Sequence, residues 1–226
     1  MHSPLFPQNL TKGRTLVDGT GYDIAFGSAA EKALSSITPG NIVKLNESGS
    51  PVEFYVAKHD YEAKLNGLGR TLLVRKDSCG QQVWNSAGNN YYGNSTIDTW
   101  LNNDYKNMLD SGIQTAIAQT SFQYTPGGYD TAMISLGRAV FLLSLTELGV
   151  TTQYNNAEGT ELPVSSMLKT RAQWTRTPYI GDTNYTWCVT AAGGPYAAYP
   201  TNSVNCYPAL TLPGTTLVGA GNKVIV

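Results

Sequence analysis

The chain has 226 residues, a formal net charge of −1 and only 14% charged side chains. That length suits one large domain with a real core, or one domain with a small appendage, and the near-neutral balance leaves no basic footprint for nucleic acid and no polybasic membrane patch. No apolar run approaches the roughly 20 residues needed to span a bilayer. The opening MHSPLFPQNLTKGR lacks the charged and apolar regions of a secretory leader, so synthesis in a cytoplasm is expected. Cys79, Cys188 and Cys206 have no C-x-x-C spacing and are too few for a disulfide framework. They are read first as small buried residues, with Cys188 and Cys206 as candidates to pair across adjacent strands.

In chain order, Thr15-Leu16-Val17 and Gly21-Tyr22-Asp23-Ile24 flank Asp18-Gly19. Asp-Gly between short apolar runs is the signal of a type I′ hairpin, whose two central residues need positive φ. Residues 1–38 are therefore expected to form a β-hairpin arm, and residues 39–226 a separate domain. That domain starts as an antiparallel meander: Ile42 to Leu45, a turn over Asn46 to Ser50, Val52 to Lys58, then Thr71 to Arg75. A loop rich in Asn and Gly, 88–93, leads to the strongest helix signal. Ser95 and Asp98 make a capping box, and Ile97, Trp100, Leu101, Tyr105 and Met108 recur at helical spacing. Ser111 with Gln114 opens a second helix. Ala139 to Leu143 reads as a buried strand followed by a turn capped by Ser144 and Glu147. Thr151 to Pro163 reads as polar loop, Ser165 to Arg171 as one helical turn, and the remainder as short strands ending near Leu212.

Signatures of catalysis are sparse. The histidines are His2 and His59, and His59 at a strand end reads as a surface residue rather than a catalytic base. There is no H-E-x-x-H, P-loop or G-x-G-x-x-G, and Gly127-Gly128 reads as a turn. Asp98, Asp104 and Asp110 fall in the helical region, where capping or solvation is the ordinary role. Asp182 alone cannot make a calcium site, which takes six to eight oxygens. No metal, no cofactor and no enzymatic activity are expected.

The C-terminal region differs from the rest. From Thr177 to Asn222 the one ionisable carboxylate or base is Asp182, although a quarter of a typical domain is charged. Tyr179, Tyr185, Tyr196, Tyr199 and Tyr207 lie there among Asn184, Asn202 and Asn205 and several Thr, Ser and Gly. Tyrosine offers a large amphipathic contact at low rotamer cost, and Ser, Gly and Asn adapt their hydrogen bonds, which is the composition of recognition loops. Tyr179, Asp182, Asn184, Tyr185, Tyr196, Tyr199, Asn202 and Asn205 are the expected contact residues.

Three stretches carry a family resemblance: Ser95 to Asn103 (STIDTWLNN), Phe141 to Ser144 (FLLS), and Trp174 to Pro178 (WTRTP) followed by Tyr207 to Leu210 (YPAL). In that order they resemble a bacterial and phage domain family of uncharacterised function with a C-type-lectin-like fold, related to the variable adhesins of diversity-generating retroelements. Arginine is usual in that family where Tyr207 stands. The resemblance implies an α+β domain with antiparallel sheets and two main helices. Trp100, Trp174, Arg176, Trp187 and Pro208 would be scaffold, and residues 179–207 a displayed and possibly diversified face. Its implied role is a non-catalytic receptor-binding protein of a phage or prophage virion, touching a host-surface protein or glycan. Residues 1–38 would join other virion subunits or a homo-oligomer. A structural decoration or assembly subunit of the particle is the alternative. A cysteine-dependent oxidase of the formylglycine-generating type, using Cys188 and Cys206, is the more remote one.

Overall fold

A computed structural model describes residues 30–226 in full, and before them the backbone of strands β1 (Thr15–Val17) and β2 (Asp23–Ala25). Then come β3 (Lys32–Ala33), β4 (Ile42–Glu47), β5 (Ser50–His59), α1 (Ala63–Asn66), β6 (Arg70–Arg75) and β7 (Gln81–Val83). The main helix is composite: α2 (Thr96–Trp100), a π-helical turn (Leu101–Tyr105) and α3 (Lys106–Met108), with α4 (Ser111–Ala116) after it. Next are β8 (Thr120–Tyr124), β9 (Ile134–Arg138), β10 (Val140–Phe141) and α5 (Ser165–Leu168). The chain ends in β11 (Gln173–Pro178), β12 (Thr186–Val189), β13 (Pro195–Ala198), β14 (Ser203–Asn205), β15 (Ala209–Pro213), β16 (Leu217–Val218) and β17 (Val224–Ile225). The architecture is α+β, with antiparallel sheets and few, short helices. Among the described residues no helix is long and apolar enough to cross a membrane.

The central sheet runs β10-β15-β6-β5-β4, every neighbour antiparallel. Its edge strand β4 alternates, burying Val43 and Leu45. The middle strands β6 and β15 are buried on both faces, which is why Thr71-Leu72-Leu73-Val74 and Ala209-Leu210-Thr211-Leu212 are runs without alternation. Each fully buried Leu or Val contributes about 1.5–3 kcal/mol. The β4–β5 turn is two residues long, because Glu47 pairs with Ser50, and both Ser48 and Gly49 have positive φ. This is the conformation the Asp18-Gly19 pattern suggests for the arm. There, strands β1 and β2 do pair, but Val17 opposes Asp23, leaving five residues between them. The expected Asp18-Gly19 turn falls within this connection. That connection lies outside the described residues.

The body also reaches back into the stretch expected to be arm. Strand β3 pairs with β16, and Leu34 and Ile37 are buried in the core. His59 joins this contact: its half-buried ring spans Thr71 Oγ1 and the Ile37 carbonyl, both at 2.9 Å. The sheet β17-β16-β3 continues past the expected end at Leu212.

The helix begins as its sequence suggests, with Ser95 Oγ accepting from the Asp98 amide. The box is not reciprocated. Asp98 is buried, contrary to its expected solvated role, and its carboxylate takes Arg138 Nε and Nη2 at 2.9 and 2.8 Å. Ile97, Leu101 and Tyr105 face the core every fourth residue, and the wide π turn between them swings Met108 out to 38% exposure. In α4 the Ser111/Gln114 pair is likewise not a capping box: no side chain caps the helix, and Gln114 Nε2 donates to the Leu109 carbonyl. The reciprocal box occurs instead at Ser144 and Glu147, each accepting from the other's amide.

Candidate functional site

The expected display face starts where β11 ends. Every residue of β11 is buried, and Pro178 pairs with Thr186 of β12, so residues 179–185 project as a loop. Its neck is closed by the Tyr179 amide donating to the Tyr185 carbonyl at 3.2 Å. Its centre is filled by the side chain of Asn90, which has no exposed surface. Asn90 Nδ2 donates to the carbonyls of Tyr179 (2.9 Å), Asp182 (3.1 Å) and Tyr185 (2.7 Å), while its Oδ1 accepts from the Gly128 amide at 2.6 Å. One buried amide thus satisfies a loop that has no ladder of its own. The Gly127-Gly128 step passes directly beneath. A Cβ at Gly127 would lie 2.4 Å from the Asn90 carbonyl oxygen, and one at Gly128 2.9 Å from Thr183 Cγ2. These glycines are required by close approach as well as by turning.

On this support the aromatic rings assemble. Tyr154 stacks on Tyr179 at 4.8 Å, Tyr179 on Trp187 at 5.1 Å, and Tyr185 lies against Tyr199 at 4.8 Å. Tyr179 and Tyr185 join the two groups at 6.0 Å. Tyr185 Oη donates to Tyr199 Oη at 3.1 Å. The hydrogen bond to Tyr199 pushes the Tyr185 phenol above its usual range, and partial burial does the same for Tyr179. The hydroxyls therefore stay neutral at physiological pH. Tyr154, Tyr179, Ile180, Gly181, Asp182, Tyr185 and Ala197 line an open cleft of about 390 Å³. Its one carboxylate, Asp182, accepts from the amide and the Nδ2 of Asn184 at 2.9 Å, an Asx turn that shapes the loop tip.

Not every expected contact residue belongs here. Tyr196 is 56% exposed but pairs with Cys188, so strand alternation puts it on the opposite face from Trp187 and Ala197. Asn202 is exposed in the turn after Tyr199, donating its amide to the Tyr199 carbonyl. Asn205 is half-buried in β14 and donates to the Ala172 carbonyl at 3.3 Å. Conversely, Tyr154 and Asn90 are missing from the sequence reading. Tyr154 sits in a stretch whose composition signals only loop, though its carbonyl accepts from both the Ile180 amide and Trp187 Nε1. Nothing in the sequence separates Asn90 from neighbouring Asn89.

Of the residues expected as scaffold, Trp187 stacks under the cleft on Tyr179, and the others are packed elsewhere in the domain. Trp174 and Trp187 are buried, and Trp100 packs half-buried on Tyr105. Pro208 is buried and its carbonyl accepts from the Arg75 amide. The position where arginine is usual is covered differently: the Arg171 guanidinium lies 3.9 Å above the Tyr207 ring. Arg176 is fully buried, with Nη1 on Glu147 Oε2 at 2.7 Å and on the Leu142 carbonyl at 3.0 Å. Burial opposes its charge, but the adjacent Glu147 carboxylate more than offsets this. Glu158, also without exposed surface, accepts from the Thr125 amide and Thr177 Oγ1 but stands 3.9 Å from Arg176 Nε, beyond hydrogen-bond range. Burial therefore raises its carboxyl above the ordinary carboxylate range despite the guanidinium.

The cysteines are free, and Cys188 and Cys206 do not pair. Cys188 lies between Trp174 and Tyr196 in the β11-β12-β13 sheet, with its thiol pushed up to about 11 by burial. Among the described residues no three His, Cys, Asp or Glu side chains gather as metal ligands. A family model described as "Domain of unknown function (DUF6273)" matches residues 68–214. No curated protein and no solved structure matches the chain.

Proposed function

The chain belongs to the DUF6273 family, and we propose on that footing that it is a non-catalytic recognition protein whose ligand packs into the Tyr154–Tyr179–Tyr185 cleft. The observation that carries the reading is the cleft itself: contiguous tyrosine rings, partly exposed, on a loop fixed from below by one buried amide. Rigid aromatic anchors in a pocket dominate binding energy because their burial releases much apolar surface and costs few rotamers. A nearly neutral rim also lets a ligand dock without stripping water from charges.

We place the domain in the C-type-lectin-like class, supported by the order of the three sequence stretches and by loops carried on short antiparallel strands near the C-terminus. The same resemblance supplies the proposed setting, a phage or prophage particle in which residues 1–38 attach or oligomerise the chain. The ligand is then a host-surface protein or glycan. The test is adhesion of the purified chain to host cells. Replacing both Tyr185 and Tyr199 by Ala is expected to weaken adhesion at least about tenfold while the fold persists. Undiminished adhesion overturns the assignment. Periodate treatment of the cells abolishes binding if the ligand is a glycan, and protease treatment does so if it is a protein.

A further inference from the structure

Cys188 and Cys206, the candidates to pair across adjacent strands, lie at different sheets, Cys206 directly after β14, and the structure brings a different pair together. Cys79 and Cys206 face each other across the junction where β7 meets β14. The Cys79 amide donates to the Cys206 carbonyl at 3.0 Å, and the Cys206 amide returns to the Gly80 carbonyl at 2.9 Å. The Cys79 thiol points across the same gap, its Sγ 3.2 Å from the Cys206 carbonyl oxygen. The β7–β14 register, with Asn205 opposite Gln81, sets Gly80 opposite Cys206, so the two bonds close a bulge in which Cys79 and Gly80 share Cys206 as their partner. The Cys79 thiol is a hydrogen-bonding neighbour of the Cys206 thiol, and two residues joined by a direct amide-to-carbonyl bond across strands hold their Cα atoms about 5.5 Å apart, within the range a disulfide spans. Cys79 is half-exposed while Cys206 is buried, so a soluble reagent reaches the first and not the second. Cys188 cannot compete, since it is held in a different sheet with its Sγ 3.3 Å from the Tyr196 carbonyl.

We infer that Cys79 and Cys206 are a site of intramolecular disulfide formation, reduced in a cytoplasm and closed when the chain meets a disulfide oxidant. In the first step the Cys79 thiolate attacks one sulfur of a small-molecule disulfide such as oxidised glutathione and expels one glutathione thiolate. Cys206 then loses its proton to solvent and displaces the second glutathione, forming the Cys79–Cys206 bond. Two protein thiols give up two electrons and two protons, and one glutathione disulfide becomes two thiols. Burial and the neighbouring Cys79 thiol keep the Cys206 thiol well above its usual range, which makes the second step the slow one. The closed bond ties the strand before Trp84 to the segment after Asn205, at the far end of the displayed region. It also closes a loop covering most of the domain, which restricts the unfolded chain. None of this depends on what the cleft binds.

The test is to hold the full chain with excess oxidised glutathione at mildly alkaline pH, then measure intact mass, a non-reducing digest and thermal unfolding. The expected product is lighter by two hydrogens, yields one linked peptide joining Cys79 to Cys206, and unfolds at a midpoint raised by roughly 5 °C or more. Dithiothreitol reverses all three, C79S abolishes them and C188S leaves them intact. The inference fails if all three thiols remain open to alkylation, if the linked peptide contains Cys188, or if glutathione stays on Cys79 without ring closure. Digest mapping of the wild-type chain decides this even if a variant folds poorly.

Discussion

Two sets of tyrosines divide the molecule. Tyr61, Tyr92 and Tyr105 have no exposed surface, and each hydroxyl has a definite partner: Glu147, the Leu142 amide and Glu47. Tyr154, Tyr179, Tyr185 and Tyr199 instead stack on one another at the surface, and the hydroxyls of Tyr185 and Tyr199 pair with each other. The first set is a core in which a polar atom must be matched before it is buried. The second is a surface whose rings are held by aromatic contact, leaving apolar faces for another molecule. Residue type does not distinguish them; the destination of the hydroxyl does.

The contrast should break most severely where charge is buried in the core beside Tyr61. Arg176→Met leaves Glu147 and Glu158 without a counter-charge, and the expected loss is about 3–5 kcal/mol, read by urea unfolding. A loss below about 1 kcal/mol would show that the cluster is not held as charged groups. Asn90→Ala should come next. Three loop carbonyls and the Gly128 amide lose their partner, costing about 1–3 kcal/mol and releasing the 179–185 loop. Hydrogen exchange at the Gly128 amide should rise with it, and unaltered protection there would remove Asn90 from its supporting role.

Single tyrosine replacements sharpen the surface side. Tyr179→Ala, which opens the middle of the stack, should reduce adhesion more than Tyr196→Ala, which lies on the other face of β13. Tyr196→Ala is expected to leave adhesion within about twofold and stability within about 0.5 kcal/mol. Equal losses from the two variants would mean that the recognition face extends around the strand.

The smallest effect concerns pH. The folded-state carboxyls of Glu158, Glu62 and Asp98 are all raised, chiefly by burial. A group raised on folding favours the native state below its unfolded value, and that contribution is lost as pH rises through the folded value. From the ordinary carboxylate range up to their raised folded values, these three groups therefore make stability fall as pH increases. Replacing Glu158 by Gln should flatten that slope in denaturant titrations. An unchanged slope in the variant would show that Glu158 does not titrate in this window.

Much of the frame was legible because it follows from local rules. The alternation in Ile42 to Leu45, the uninterrupted runs of the two central strands and the Ser95 cap each express a period or a hydrogen bond within a few residues. Failures arose where a distant partner took over. Asp98 leaves its capping box because Arg138, forty positions away, is a better partner for a buried carboxylate. A two-residue turn with positive φ lies at Ser48-Gly49, a dipeptide that carries no Asn-Gly or Asp-Gly signal, because strand register and not dipeptide identity sets loop length. Asn90 is one of two adjacent asparagines, and its choice as the hub depends on loops brought to it from residues 127–128 and 179–185.

The amino-acid sequence by itself determined the antiparallel α+β character, the near-absence of charge after Thr177 and the concentration of tyrosine there, since these are properties of composition and short-range periodicity. Tertiary structure alone decided which tyrosines share a cleft, that Tyr154 joins them while Tyr196 does not, and that Cys206 faces Cys79 instead of Cys188. The physical reason is that stacking, buried hydrogen bonding and thiol proximity act over a few ångströms of space, whereas the residues concerned lie tens of positions apart along the chain.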